Sequence, residues 1–141
     1  MRGKADFKAL REALGLSQSD VADACMVRTT TVKRWERPGF PGAPNDAWAY
    51  LEGEARRHDD MVAYAVARAR DARAVGQMPD SVVITYYRDQ DQYDALGRDD
   101  GPFSYANAVA RDVAAILQRE DFVVEFAYPD DGAIRTPGSR Y

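Results

Sequence analysis

The first periodic pattern lies at the N-terminus, where Phe7, Leu10 and Leu14 recur at intervals of three and four residues. This spacing predicts an amphipathic helix over residues 4–14. Gly15 follows at the position where a helix is usually terminated by a residue with positive φ.

A second helix is predicted from Ser17, whose hydroxyl suits the N-cap position, with Asp20 placed three residues later as in a capping box. It runs to about Ala24 and would bury Val21, Ala22 and Cys25. A short turn at 26–27 separates it from a third helix over 29–36. The dense prolines and glycines of residues 37–44 then predict a loop.

A much longer helix is predicted over residues 45–75, with Asn45 as its N-cap and Asp46 in its first turn. One face carries mostly apolar residues at intervals of three and four: Trp48, Leu51, Ala55, His58, Val62, Ala65, Ala69 and Ala72. Such a face packs either into the core of its own chain or against a second copy. The pattern alone leaves both options open.

The remainder mixes strands with helices. We predict strands over 82–87 and 122–128, a short helix over 89–96, a helix over 105–118, and a loose polar tail over 129–141. The fold class is therefore α+β, mainly α, with domains at 1–44, 45–128 and a tail at 129–141. Because two strands alone are marginal, they either pair with each other or with their copies in a homodimer.

Charge is distributed unevenly along the chain. The net charge is −4, but residues 1–44 carry eight basic and five acidic side chains, a net of +3. The remaining residues carry eleven basic and eighteen acidic side chains, a net of −7. This asymmetry indicates that residues 1–44, the basic head of the chain, bind an anionic partner and that the remainder does not.

Residues 16–36, LSQSDVADACMVRTTTVKRWE, resemble the helix-turn-helix of the Cro and phage-repressor family, whose pattern is close to L-S-Q-x-x-L-A-x-x-x-G-V-S-x-x-T-I-x-x-W-E. The spacing agrees without insertion, and the matches are Leu16, Ser17, Gln18, Val21, Ala22, Val27, Thr31, Val32, Trp35 and Glu36. The resemblance implies that the third helix enters the major groove of DNA.

The family's DNA contacts carry over by position. Gln18 and Arg28 would contact phosphate, whereas Thr29, Thr30 and Arg34 would face base edges, with Lys33 at the rim of that face. Met26 departs from the pattern, because the family often has glycine there and a methionine with positive φ is strained. We therefore expect the turn to be shaped slightly differently from that of the family.

The second half is similar, more loosely, to the small two-domain anti-CRISPR-associated repressors and related uncharacterised cytoplasmic regulators. The likeness lies in the order of elements and in a YY-x-D-x-x-x-Y passage formed here by Tyr86, Tyr87, Asp89 and Tyr93. It implies that the second domain forms a homodimer and that the dimer represses its own operon from an inverted repeat.

Other functional classes find little support in the sequence. One cysteine, Cys25, and one histidine, His58, do not make a usual zinc site, so no metal or other cofactor is expected. The paired aspartates lack the spacing of a calcium loop. No nucleophile–base pair, glycine-rich phosphate loop, signal peptide or membrane span is found, and no small-molecule effector is expected. We therefore expect a cytoplasmic protein that is not an enzyme.

The sequence-based hypothesis is a sequence-specific, homodimeric transcriptional regulator, in particular an autorepressor that binds double-stranded DNA. One alternative is an antitoxin-like module whose acidic C-terminal domain binds a partner protein. Another is binding of an RNA hairpin loop by the same basic head, since duplex RNA has too narrow a major groove for a helix.

Overall fold

A computed structural model of the chain describes residues 2–131. Its elements are α1 (Lys4–Ala13), α2 (Gln18–Cys25), α3 (Thr29–Trp35), α4 (Asn45–Ala74), β1 (Val82–Thr85), α5 (Gln90–Leu96), α6 (Phe103–Arg119) and β2 (Val124–Ala127). The α+β, mainly α class predicted from the sequence is confirmed. The predicted tail, residues 129–141, lies mostly outside the described residues.

The chain divides into two compact units between His58 and Asp59, within the continuous helix α4. The sequence places this boundary at 44–45 instead, at the Pro- and Gly-rich loop. The first half of α4 belongs to the first unit because Ala47, Trp48 and Leu51 are buried with the N-terminal helices. The rest of α4 begins the second unit.

The core of the first unit is centred on an aromatic cluster. The Phe7 ring meets the Trp35 and Trp48 rings edge-on, with centroids 6.0 and 5.1 Å apart. Val21, Ala22 and Val32 are buried beside it, as the helix-turn-helix pattern requires. Residues from α1, α2, α3 and α4 thus share one core, which fixes the angle between α2 and α3.

The helix ends in this unit follow the sequence signals. The Ser17 hydroxyl accepts a hydrogen bond from the Asp20 N–H at 2.9 Å, and the Asp20 carboxylate accepts one from the Ser17 N–H at 2.8 Å. This is a complete capping box. Gly15 has φ of +69°, a conformation that glycine adopts without the steric cost other residues meet.

The second unit is built on a two-stranded parallel sheet. Val82 pairs with Val124, Ile84 with Phe126 and Thr85 with Ala127. The strands therefore pair with each other within one chain, which is one of the two arrangements the sequence left open. A parallel pair needs a long crossover, and α5 and α6 provide it.

Helices α4 and α6 supply most of the core around this sheet. Val62, Val66 and Ala69 of α4 are buried, as are Val109, Val113, Ala114 and Leu117 of α6. At the end of β1 the Asn107 side chain exchanges two hydrogen bonds with the backbone of Tyr87, at 2.9 and 2.8 Å. These bonds pair the backbone N–H and carbonyl oxygen of Tyr87 at the point where the sheet pairing stops.

The apolar face of α4 is thus used inside the chain. Its members from Trp48 to Ala72 are buried or half-buried in one or the other unit. This observation favours the core interpretation of that face over pairing between two copies. No helix within residues 2–131 combines the length and the apolar character needed to cross a membrane.

Candidate nucleic-acid interface

Helix α3 presents a polar, positively charged face to solvent. Val32 and Trp35 turn inward and are buried. Thr30, Lys33 and Arg34 are exposed and Thr29 is half-buried. Positions i, i+1, i+4 and i+5 of a helix share one side, so the three residues predicted to face base edges and Lys33 at their rim lie together on the side opposite the core.

Cations on and beside α3 are not neutralised by carboxylates. Arg28 is exposed just before the helix, and Arg37 is exposed just after it. Among the described residues, the side chains of Arg28, Lys33, Arg34 and Arg37 form no ion pair. A surface with four unopposed positive charges attracts a polyanion.

Arg34 is held by an aromatic contact. Its guanidinium lies 5.5 Å from the centroid of the Phe40 ring, which belongs to the loop after α3 and is 43% exposed. Stacking on an aromatic face limits the rotamers of an arginine without using its hydrogen-bond donors. No pattern in the sequence links Phe40 with this position.

Gln18 lies where the sequence predicts a phosphate contact, at the start of α2, but it also has a partner inside the protein. Its amide nitrogen donates a hydrogen bond to the Glu36 carboxylate at 3.1 Å, and the residue is half-buried. One of its two amide hydrogens is therefore used in a contact that joins α2 to the end of α3.

That contact belongs to a buried network that sequence reasoning missed. Arg11 of α1 donates two hydrogen bonds to the Glu36 carboxylate, at 2.8 and 2.9 Å, and a third to the Leu16 carbonyl oxygen at 2.9 Å. Both charged side chains are at most 9% exposed. The sequence feature that could have revealed this network is the position of Arg11, four residues after Phe7 on the apolar side of α1.

The ionisation of Glu36 reflects this environment. Burial opposes the charged form and is the largest single effect. Hydrogen bonds from Arg11 and Gln18, together with the charges of Arg11 and Lys8, outweigh it and hold the pKa of Glu36 below its usual range. The hydrogen bond to Glu36 likewise raises the pKa of Arg11. The pair is therefore ionised at neutral pH and fixes α1 to the C-terminal end of α3.

Lys4 supports the same end of α3. Its ammonium donates hydrogen bonds to the carbonyl oxygens of Arg34, Trp35 and Pro41, at 3.0, 3.0 and 3.2 Å. The last carbonyls of a helix lack partners within the helix, and a cation there also complements the helix dipole. Lys4 thus stabilises both the end of α3 and the loop that carries Phe40.

The turn between α2 and α3 keeps the left-handed geometry, although methionine stands where the family often has glycine and the sequence predicted a different shape. Met26 adopts φ 57° and ψ 43°, the left-handed region, and its side chain is 92% exposed. The Val27 N–H donates to the Ala22 carbonyl oxygen at 3.0 Å, which closes the end of α2. The glycine-type turn of the family pattern is thus formed with a methionine.

Cys25 and His58 are the two side chains of the sequence that most often bind metals. Cys25 is half-buried, and burial, followed by the nearby Asp46 carboxylate, raises the pKa of its thiol. His58 is buried in α4. Within residues 2–131, no group of three or more His, Cys, Asp or Glu side chains is arranged to hold a metal ion.

Comparison with known proteins agrees with this geometry. A family model described as helix-turn-helix matches residues 7–37, the span from Phe7 in α1 to the end of α3. No curated protein matches the chain. The anti-CRISPR-associated resemblance of the second half stays a prediction.

The matched span contains the buried network, the capping box, the left-handed turn and the charged face of α3. Helix-turn-helix proteins of this type bind DNA and are generally not enzymes. Residues 7–37 are therefore a helix-turn-helix of the Cro/repressor type, and the protein is a DNA-binding transcription regulator.

Proposed function

We propose that the protein is a sequence-specific, homodimeric autorepressor that binds an inverted repeat upstream of its own gene. Helix α3 enters the major groove, where Thr29, Thr30 and Arg34 meet base edges. Arg28 and Gln18 contact phosphates on either side of that groove, and Lys33 lies at its rim. The exposed face of α3, with its unopposed positive charges, is the observation that carries the proposal.

Arg34 is the residue best suited to read a base. Its guanidinium presents donors in a fixed fork that matches the O6 and N7 acceptors of guanine. The Phe40 contact leaves those donors available and reduces the number of side-chain conformations that must be given up on binding. The threonine hydroxyls and methyl groups suit polar base edges and the thymine methyl group.

The small size of the DNA-reading helix supports the homodimer. Helix α3 has seven residues, so one copy reads only a few base pairs. Two copies related by a twofold axis read two half-sites about 34 Å apart and double the contact area. Val123, Phe126 and Tyr128 of the second unit are exposed apolar residues and offer a surface for self-association.

The primary test is a mobility shift on the DNA upstream of the gene, with random duplex as competitor and at two salt concentrations. A shift that survives the competitor and weakens with salt is expected, because phosphate contacts release counterions. Footprinting then gives the half-site spacing, and sedimentation gives the oligomeric state. Failure to shift this DNA at micromolar protein would contradict autorepression, and a pull-down for a basic protein partner would follow.

Variants separate base reading from phosphate binding. Arg34→Ala should relax base preference at one position per half-site, a loss of about 1–3 kcal/mol of discrimination. Arg28→Ala and Gln18→Ala should weaken all sequences alike. Arg119→Ala removes the same charge from the exposed end of α6 and serves as the control. Equal losses on specific and random duplex for Arg34→Ala would refute the role assigned to Arg34.

A further inference from the structure

The second unit contains a cavity of about 270 Å³. It lies between the second half of α4, the end of β1, and helices α5 and α6. Met61 and Ala65 line it from α4, Ile84 from β1, and Ala110 and Val113 from α6. The space is open to solvent on one side and its lining is mostly apolar, as in many small-molecule sites.

Two tyrosines add flat surfaces to the cavity. Tyr87 and Tyr93 both line it, and their rings meet edge-on with centroids 4.7 Å apart. Tyr93 is buried, and Gly97 allows its ring to lie against the backbone, because a Cβ at that position would be 2.8 Å from the ring. Aromatic rings and the Met61 thioether pack well against a further aromatic ring.

The exposed side of the cavity carries charge. Arg98 and Asp99 line it and are both exposed. Within residues 2–131, the Arg98 side chain has no hydrogen-bond, ion-pair or ring partner. An arginine with free donors beside an apolar cavity is suited to a carboxylate whose apolar portion enters the cavity.

We propose that this cavity binds a small aromatic carboxylate, with the ring between Met61, Ile84 and Tyr93 and the carboxylate on Arg98. The size is adequate, because an apolar cavity of about 150 Å³ already holds benzene. Asp99 repels the same anion, so it weakens binding without preventing it. The site is distinct from the helix-turn-helix and makes the regulator one that also binds a small molecule.

The test uses the full-length protein with methionine methyl groups labelled with ¹³C, titrated with benzoate and, separately, with benzyl alcohol. Met61 lines the cavity, whereas Met26 lies in the turn before α3 and is almost fully exposed, so one spectrum contains both the reporter and its control. Benzoate should shift the Met61 signal with saturation at millimolar concentration and leave Met26 in place. Benzyl alcohol should bind about fivefold more weakly, the value of one exposed charged contact.

Four variants test the assignment. Arg98→Gln should weaken benzoate about fivefold, and Asp99→Asn should tighten it. Ala106→Leu, at a half-buried lining position of α6, should fill the cavity and abolish the Met61 shift, whereas Ala115→Leu makes the same change at an exposed position of that helix outside the lining. Circular dichroism checks that each variant folds.

Three results would overturn the proposal: no Met61 shift with benzoate, equal binding of benzyl alcohol and benzoate, or an unchanged shift in a folded Ala106→Leu protein. Because the readout involves no DNA, its outcome is independent of whether the autorepressor proposal is correct.

Discussion

Replacing Glu36 by glutamine tests the buried network that connects α1, α2 and α3. The Glu36 carboxylate is 4% exposed and accepts hydrogen bonds from Arg11 at 2.8 and 2.9 Å and from Gln18 at 3.1 Å. Glutamine has nearly the same shape, so the packing is retained while the negative charge is lost. Arg11 then remains buried without a counter-ion.

The expected loss is large for a single conservative substitution. Removing one partner of a buried ion pair costs about 3–5 kcal/mol, because the other charge stays desolvated and uncompensated. Arg11 keeps its bond to the Leu16 carbonyl oxygen, and the glutamine oxygen still accepts one hydrogen bond, so we expect about 3 kcal/mol. With a urea dependence of about 1.5 kcal/mol/M, the unfolding midpoint should fall by about 2 M.

Tryptophan fluorescence reports the unfolding of the unit that contains this network. The chain has two tryptophans, Trp35 and Trp48, and both lie in the core of the first unit. Glu52→Gln is the matched control, because Glu52 pairs with Arg2 at a site where both side chains are nearly half exposed. An exposed pair contributes at most about 1 kcal/mol, so the control should lower the midpoint by much less.

A double variant decides whether the lost charge or altered packing causes the loss of stability in Glu36→Gln. Arg11→Met combined with Glu36→Leu removes both charges, and replacement of a whole buried pair by apolar residues is often neutral. We expect it to recover most of the stability lost in Glu36→Gln. If Glu36→Gln is no more destabilising than Glu52→Gln, or if the double variant is as unstable as the single one, the reasoning is wrong.

Further predictions concern pH, the turn, the end of α3 and the second unit. The pKa of Glu36 is lower in the folded protein, so the stability that the ionised carboxylate contributes is complete above its ordinary pKa of about 4.3 and is lost as the pH falls through the folded pKa. The difference in urea midpoint between the native protein and Glu36→Gln should therefore narrow on acidification. A difference that stays constant would contradict this. Met26→Gly should raise stability by about 0.5–1 kcal/mol in the same urea assay, since glycine adopts the left-handed conformation without strain. Lys4→Met keeps the aliphatic stem but loses three hydrogen bonds, so it should cost about 1 kcal/mol. Gly97→Ala would place a Cβ 2.6 Å from the Tyr93 carbonyl oxygen and should cost about 1–3 kcal/mol, measured by circular dichroism as a lower urea midpoint.

The sequence alone determined the local secondary structure of this protein. The Phe7–Leu10–Leu14 spacing, the Ser17–Asp20 capping box and the spacing from Leu16 to Glu36 are sufficient to predict the three short helices and the helix-turn-helix. Helix α4 and both strands are also predicted within a few residues of their bounds. These features depend on residues close together in the chain, whose periodicity and caps can be recognised directly.

The tertiary structure decided which distant residues meet. Arg11 and Glu36, 25 residues apart, form a buried pair only because α1 packs against the end of α3. The parallel pairing of Val82 with Val124, the division of an unbroken helix between two units, and the cavity beside Tyr93 are likewise results of packing. Short-range patterns record the conformation of a segment, whereas partners and empty spaces depend on how segments far apart in sequence fit together, and no pattern within a single segment contains that information.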